Sequence, residues 1–104
     1  MRVILDENVP AAVGRWLASH KVTTAQKAGY RGLDNGHLLK AVEGKFDVLV
    51  TADRNLRYQR NLAGRQIGIV ELPGNRLPVL RKLRNKIVTA VNRCGPSKYV
   101  EIPG

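Results

Sequence analysis

Residues 1–10, MRVILDENVP, decide the fold. Val3, Ile4 and Leu5 make an apolar run that stops at Asp6, Glu7 and Asn8, with Pro10 just beyond. A short apolar run closed by such residues reads as a buried strand. Pro10 suits the first turn of a helix, with Asn8 or Val9 at the cap position. In open α/β sheets ligands gather at the carboxyl ends of strands, which is where these acids fall. Residues 48–53, VLVTAD, repeat the form: an apolar run ending in Asp53, with Thr51 before it and Asn55 after. If the two strands are neighbours, Asp6 and Asp53 converge on one rim.

Outward from these two runs, the pattern alternates. Residues 10–19 form a helix with Val13, Trp16 and Leu17 as its apolar stripe, so Trp16 is core. Residues 21–25, KVTTA, are a β-branched strand, and 26–33, with two glycines, a loop. Asp34 caps a helix whose Leu38, Leu39 and Val42 face inward and which Gly44 ends. Residues 46–51 are a strand covered on both faces and therefore central. A short polar helix over 54–62 precedes a strand over 66–72. A long helix over 77–92 presents Leu80, Leu83, Ile87 and Val91 to the core. Residues 98–102, KYVEI, alternate as an edge strand does. Strands alternating with helices predict an α/β fold with a mainly parallel sheet and right-handed crossovers.

The 104 residues make one domain, 1–104, with 43% apolar and 25% charged residues, an ordinary globular balance. The charge is not ordinary: 18 Lys+Arg against 8 Asp+Glu give a formal +10, which favours polyanions, nucleic acid first among them. One cysteine, Cys94, allows no internal disulfide and fits a reducing compartment. The first apolar run is too short for a secretory signal, and no run approaches the ~18 apolar residues of a membrane span. A cytoplasmic protein without membrane contact is the expectation.

Asp6, Glu7 and Asp53 are oxygen donors of the kind that hold Mg²⁺ or Mn²⁺, usually one or two carboxylates with water completing the shell. Two acids held close repel until a cation arrives. The plainer alternative is that Asp6, Asp34 and Asp53 each cap the helix that follows. Glu7, on the opposite side of a continued strand from Asp6, is the weaker ligand of that pair. Asn8 and Asn55 would orient a water or phosphate, or serve as turn residues. Thr51 would bond a neighbouring acid, or simply be a β-branched strand residue.

LDENVP, GYRGLDNGHLL, VLVTADRNLRYQRNLAG and IGIVELPGNRLPVL, in this order over residues 1–85, resemble the DUF5615 family of PIN-like proteins. That family is related to the Mut7-C domain and more distantly to PIN-domain ribonucleases of the VapC toxin type. The resemblance implies a three-layer PIN-like α/β/α sandwich and divalent-metal-dependent cleavage of single-stranded RNA. It also implies a place as the toxin of a toxin–antitoxin pair, an antitoxin as partner, and a homodimer. By motif, Asp6 matches the first PIN aspartate and Asp53 the acid of T-x-D. Where relatives carry further acids, this chain has Asp34-Asn35-Gly36-His37 and Asn55. Asp6 and Asp53 are thus the expected metal ligands, with Glu7 and Asp34 as auxiliary catalytic acids. The same departures define the rival reading: a non-catalytic RNA-binding or protein-interaction module with a depleted acidic site.

Arg54, Arg57 and Tyr58 follow Asp53 directly and would hold phosphate and stack a base. Tyr30 is a second candidate stacker. Arg76, Arg81, Lys82, Arg84, Lys86 and Arg93 line the long helix, either as a solvated face or as a polyanion surface. There, Lys82 and Lys86 would be a like-charged i, i+4 pair. His20 ends the first helix, where positive charge suits the dipole. His37 would contact metal or phosphate, or serve only its own turn.

Overall fold

The computed structural model describes residues 1–54, 66–95 and 98–104. Five strands, β1 (Arg2–Leu5), β2 (Lys21–Thr24), β3 (Val48–Thr51), β4 (Gly68–Glu71) and β5 (Tyr99–Glu101), form one sheet in the order β2-β1-β3-β4-β5. All four strand pairs are parallel. β3 is therefore central and β5 an edge, as the hydrophobic patterns imply. Among the described residues, four helices connect the strands: α1 (Ala11–Trp16), α2 (Asn35–Val42), α3 (Leu77–Lys82) and α4 (Arg84–Arg93).

Strand side chains alternate between two faces, and each face has its own core. Val3, Leu5, Val48, Val50 and Val70 pack with Val13 of α1, Leu17 just after it, Leu80 of α3, and Ile87 and Val91 of α4. Ile4, Leu49 and Ile69 pack on the other side with Leu38, Leu39 and Val42 of α2. The result is the expected α/β/α sandwich. Fully buried aliphatic side chains contribute roughly 1.5–3 kcal/mol each, so these two clusters supply the stability of a small domain. Among the described residues, no helix is long and apolar enough to cross a membrane.

Local departures from the sequence pattern have physical reasons. α1 begins at Ala11 because Pro10, at ψ 140°, is still extended. Neither Asn8 nor Val9 caps it; the Asn8 carboxamide accepts from the Ala52 amide at 3.2 Å instead, tying the β1 loop to the end of β3. The helix stops at Trp16, not 19, where Leu17 leaves helical geometry (φ −102°, ψ 25°). Trp16 is only half-buried against the core, and the Arg84 guanidinium lies 6.0 Å from its ring centre. The helix expected over 77–92 is two helices, broken at Leu83 (φ −100°, ψ 7°). Lys82 and Lys86 therefore belong to different helices and are not an i, i+4 pair. His20 lies beyond the helix, beside Asn92 Oδ1 at 2.6 Å, and so links the start of β2 to α4. Asp34 caps α2 as expected, accepting from the His37 amide, and Gly44, at φ +84°, follows the helix where a left-handed residue is needed.

A Cβ on Gly68 would lie 2.5 Å from Cys94 Sγ and 2.6 Å from the Gly95 carbonyl oxygen. Gly68→Ala must push the end of α4 off the sheet, a cost of about 1–3 kcal/mol. The expected result is a lowered urea midpoint with an unchanged slope. Adding Cys94→Ala should recover only part of the loss, because the backbone oxygen stays in place.

Candidate functional site

Asp6 directly follows β1, and β3 ends in Thr51, β4 in Glu71 and β5 in Glu101. Thr51 aligns with Glu71, and Glu71 with Glu101. Leu5 aligns with Val50, so Asp6 falls level with Thr51 one step later. Because side chains alternate, all four project to the face that carries Ile4, Leu49, Ile69 and Tyr99, which is the α2 side. A polar row thus crosses the carboxyl rim of the sheet. The strand order reverses between β1 and β3, so Asp6 and Thr51 sit at the switch point where open α/β sheets form crevices.

Asp6 is only 7% exposed, and both its oxygens accept hydrogen bonds. The Glu7 amide donates to Oδ1 at 2.8 Å, and the Thr51 hydroxyl donates to Oδ2 at 2.8 Å. Thr51 Oγ1 in turn accepts from the Asp53 amide at 3.0 Å. One buried hydroxyl therefore fixes the carboxylate of β1 and the backbone of the turn after β3. Burial pushes the Asp6 carboxyl above its ordinary value of 3.8; the hydrogen bonds from Thr51 and the Glu7 amide oppose this, and the charges of Glu7 and Asp53 add to it. The structure so brings Asp6, Thr51, Asp53, Asn8 and Glu7 together. Glu7 is exposed beyond the strand and contributes its amide and its charge.

Asp34 serves a different purpose. Its carboxylate accepts from the His37 amide at 2.9 Å and lies 2.8 Å from His37 Nδ1, both side chains being largely exposed. This pairing holds the Asp34 carboxyl below its ordinary value, through the His37 backbone hydrogen bond first. Asp34 and His37 are thus joined to each other in the first turn of α2. Tyr30 packs against the α2-side core. Arg54 is exposed and donates to the Pro73 carbonyl at 3.1 Å, bridging the turns after β3 and β4. Asn55, Arg57 and Tyr58, and the helix expected over 54–62 beyond Arg54, lie outside the described residues.

Glu71 is the acid that sequence reasoning missed. It is 1% exposed, and the Tyr99 hydroxyl donates to its Oε1 at 2.5 Å. Beside it opens a cleft of about 270 Å³ lined by Arg54, Glu71, Pro73 and Glu101. The signal was present: GIVE and YVE are apolar runs ending in an acid, just as VILD is. Among the described residues, no three His, Cys, Asp or Glu side chains cluster tightly enough to cage a metal ion. The donors at Asp6 and Asp53 are all oxygen, and their mutual charge strain is of the kind a hard cation relieves. Carboxylate oxygen is the donor type that hard divalent cations take.

Compared with protein-family models, curated proteins and solved structures, the chain matches none. The resemblance to the DUF5615 family rests on the residues that carry it.

Two variants test the geometry. Thr51→Val keeps the shape but leaves the Asp53 amide and Asp6 Oδ2 without the hydroxyl, a loss of about 1–3 kcal/mol. It should also raise the Asp6 pKa further, read by NMR titration of the carboxyl carbon. Asp6→Asn tests the burial cost. With a folded pKa above 3.8, the ionised Asp6 destabilises the fold; the cost is absent below 3.8 and grows until pH passes the folded value. The stability of Asp6→Asn relative to wild type should therefore rise with pH across that window and then level off, in urea titrations run with EDTA.

Proposed function

We propose that this protein binds single-stranded RNA and hydrolyses it with a divalent metal ion, Mg²⁺ or Mn²⁺, at the switch point of its sheet. The observation that carries the reading is the Asp6–Thr51–Asp53 arrangement: a buried carboxylate, fixed by a hydroxyl, beside a second acid at the ends of adjacent parallel strands. Asp6 and Asp53 would hold the ion. When bound, it would supply Lewis acidity and an activated water for attack on a phosphodiester.

The chain's own groups account for the rest. Thr51 keeps Asp6 oriented, and the Asn8 carboxamide holds the two strand-end turns in register. Arg76, Arg81, Lys82, Arg84, Lys86 and Arg93 are all exposed, and residues 76–93 contain no acid. α3 leaves the carboxyl end of β4, so this basic layer starts near the rim and leads away from it. A phosphate chain held along it would bring one phosphodiester to the acids. The resemblance to PIN-like proteins supports the same chemistry and extends it to a toxin with an antitoxin partner.

The test is cleavage of a mixed single-stranded RNA pool by wild type with Mn²⁺, by wild type with EDTA, and by identically purified Asp6→Asn. The expected outcome is metal-dependent cleavage that falls by about 10²-fold or more in the variant, the scale of losing a main electrostatic stabiliser. Equal cleavage by both preparations would identify a contaminant. RNA bound with steep salt dependence, but cut by neither, would replace the nuclease with a binding module.

A further inference from the structure

β2 is an edge strand, and its outer side is open. The Lys21 amide donates to the Met1 carbonyl at 2.9 Å and the Ala25 amide to the Leu5 carbonyl at 2.8 Å. In a parallel ladder the N–H and C=O of one residue point the same way and neighbours alternate. Lys21, Thr23 and Ala25 thus face β1, and Val22 and Thr24 face outward. The Thr24 carbonyl accepts from the Ala28 amide at 3.0 Å. The Val22 amide, the Val22 carbonyl and the Thr24 amide have no partner among the described residues.

This edge has a groove on each face. On the α1 side, a groove of about 290 Å³ has Leu5, Gly14 and Val22 among its lining and Arg15 and Lys27 at its margin. On the other side, a groove of about 390 Å³ has Thr23 and Phe46 among its lining, with Lys21 and Lys45. Neither groove is lined by an acid. Arg15, Lys21, Lys27 and Lys45 are exposed and in no ion pair among the described residues. Arg2, which also lines the second groove, is engaged by Asp47: its amide donates to Oδ2 at 2.7 Å and its guanidinium lies 3.6 Å from Oδ1.

We propose that β2 takes an acidic, extended peptide segment of a partner protein as a sixth strand. Main-chain hydrogen bonds to Val22 and Thr24 give the register. Alternate side chains of the added strand enter the two grooves, small apolar ones over Val22 on the α1 side and acidic ones toward Lys21 and Lys45 on the other. A second copy of this chain is disfavoured, because pairing β2 with itself brings the same cations together. Nucleic acid satisfies the charges but offers no peptide ladder for the strand edge. This surface is distinct from the acidic row at the strand ends, and its test does not depend on catalysis.

The probe is a fluorescein-labelled peptide of alternating Glu and Val, with two twins methylated on every second backbone nitrogen, one in each phase. Binding is followed by anisotropy, and the exchange of individual amides by NMR. The expected result is saturable binding, at least tenfold weaker for one of the two possible methylated phases, with slowed exchange at Val22 and Thr24. Val22→Pro, which removes an outward amide without touching the β1 ladder, should weaken binding by tenfold or more. So should Lys21→Glu with Lys45→Glu, two exposed positions whose change leaves the core intact. Equal binding of all methylated peptides would reduce the effect to charge attraction and overturn the proposal. So would the absence of saturable binding, self-association through β2 in sedimentation, or loss of RNA binding but not peptide binding in these variants.

Discussion

The parallel register of the sheet is the constraint on which the site depends. Three strand pairs in step place Asp6, Thr51, Glu71 and Glu101 in one row on one face, while Val50, Val70 and Val100 fall on the other. A slip of one residue in β3 or β4 would turn a valine toward the polar row and bury Thr51 or Glu71 in the opposite apolar core. The cost of an unsatisfied buried polar group, added to the exposed valine, makes such a slip unfavourable by several kcal/mol on the ordinary scale of these effects. The packing of the aliphatic core and the placing of the acids are therefore one and the same fact.

Within that row, two buried carboxylates are accommodated in different ways. Asp6 takes one amide and one hydroxyl, and the hydroxyl comes from the neighbouring strand, so its orientation reports the β1–β3 pairing directly. Glu71 takes the phenol of Tyr99 from β5, so its orientation reports the β4–β5 pairing. Arg54, through the Pro73 carbonyl, joins the two halves of the rim from above. The polar atoms of the rim thus serve as cross-strand ties at the one end of the sheet where the apolar layers stop. A rim fixed this way keeps its acids in place without help from a bound ion, which is the preorganisation an electrostatic site needs.

The fold was largely legible because its strands are short, apolar and bounded by acids, glycines or prolines. The central position of β3 follows from VLV being apolar on both faces, and the edge position of β5 from the alternation in KYVEI. What escaped reading was decided by single backbone angles or by partners distant in sequence. Pro10 and Leu83 moved helix ends through local geometry that no periodicity encodes. Asn8 had two credible uses, and only the approach of Ala52 chose between them. The cap role of Asp34 was legible from its place before Leu38, Leu39 and Val42, but the approach of its own His37 ring was not. Glu71 was hidden for another reason: its run, QIGIVEL, continues with Leu72, which masks the strand end at which an acid becomes informative.

The charge of +10 takes its meaning from where the opposite charges lie. Acids occupy the carboxyl rim, at Asp6, Asp53, Glu71 and Glu101, while residues 76–93 carry cations alone and cover one face of the sheet. A crossover from the carboxyl end of β4 to the amino end of β5 must run the length of the sheet, so the basic layer spans it from rim to base. A polyanion drawn to that layer is repelled by the rim, unless a cation or a basic side chain neutralises the acids there. Attraction and repulsion of negative charge thus come from different residues on different elements of this surface.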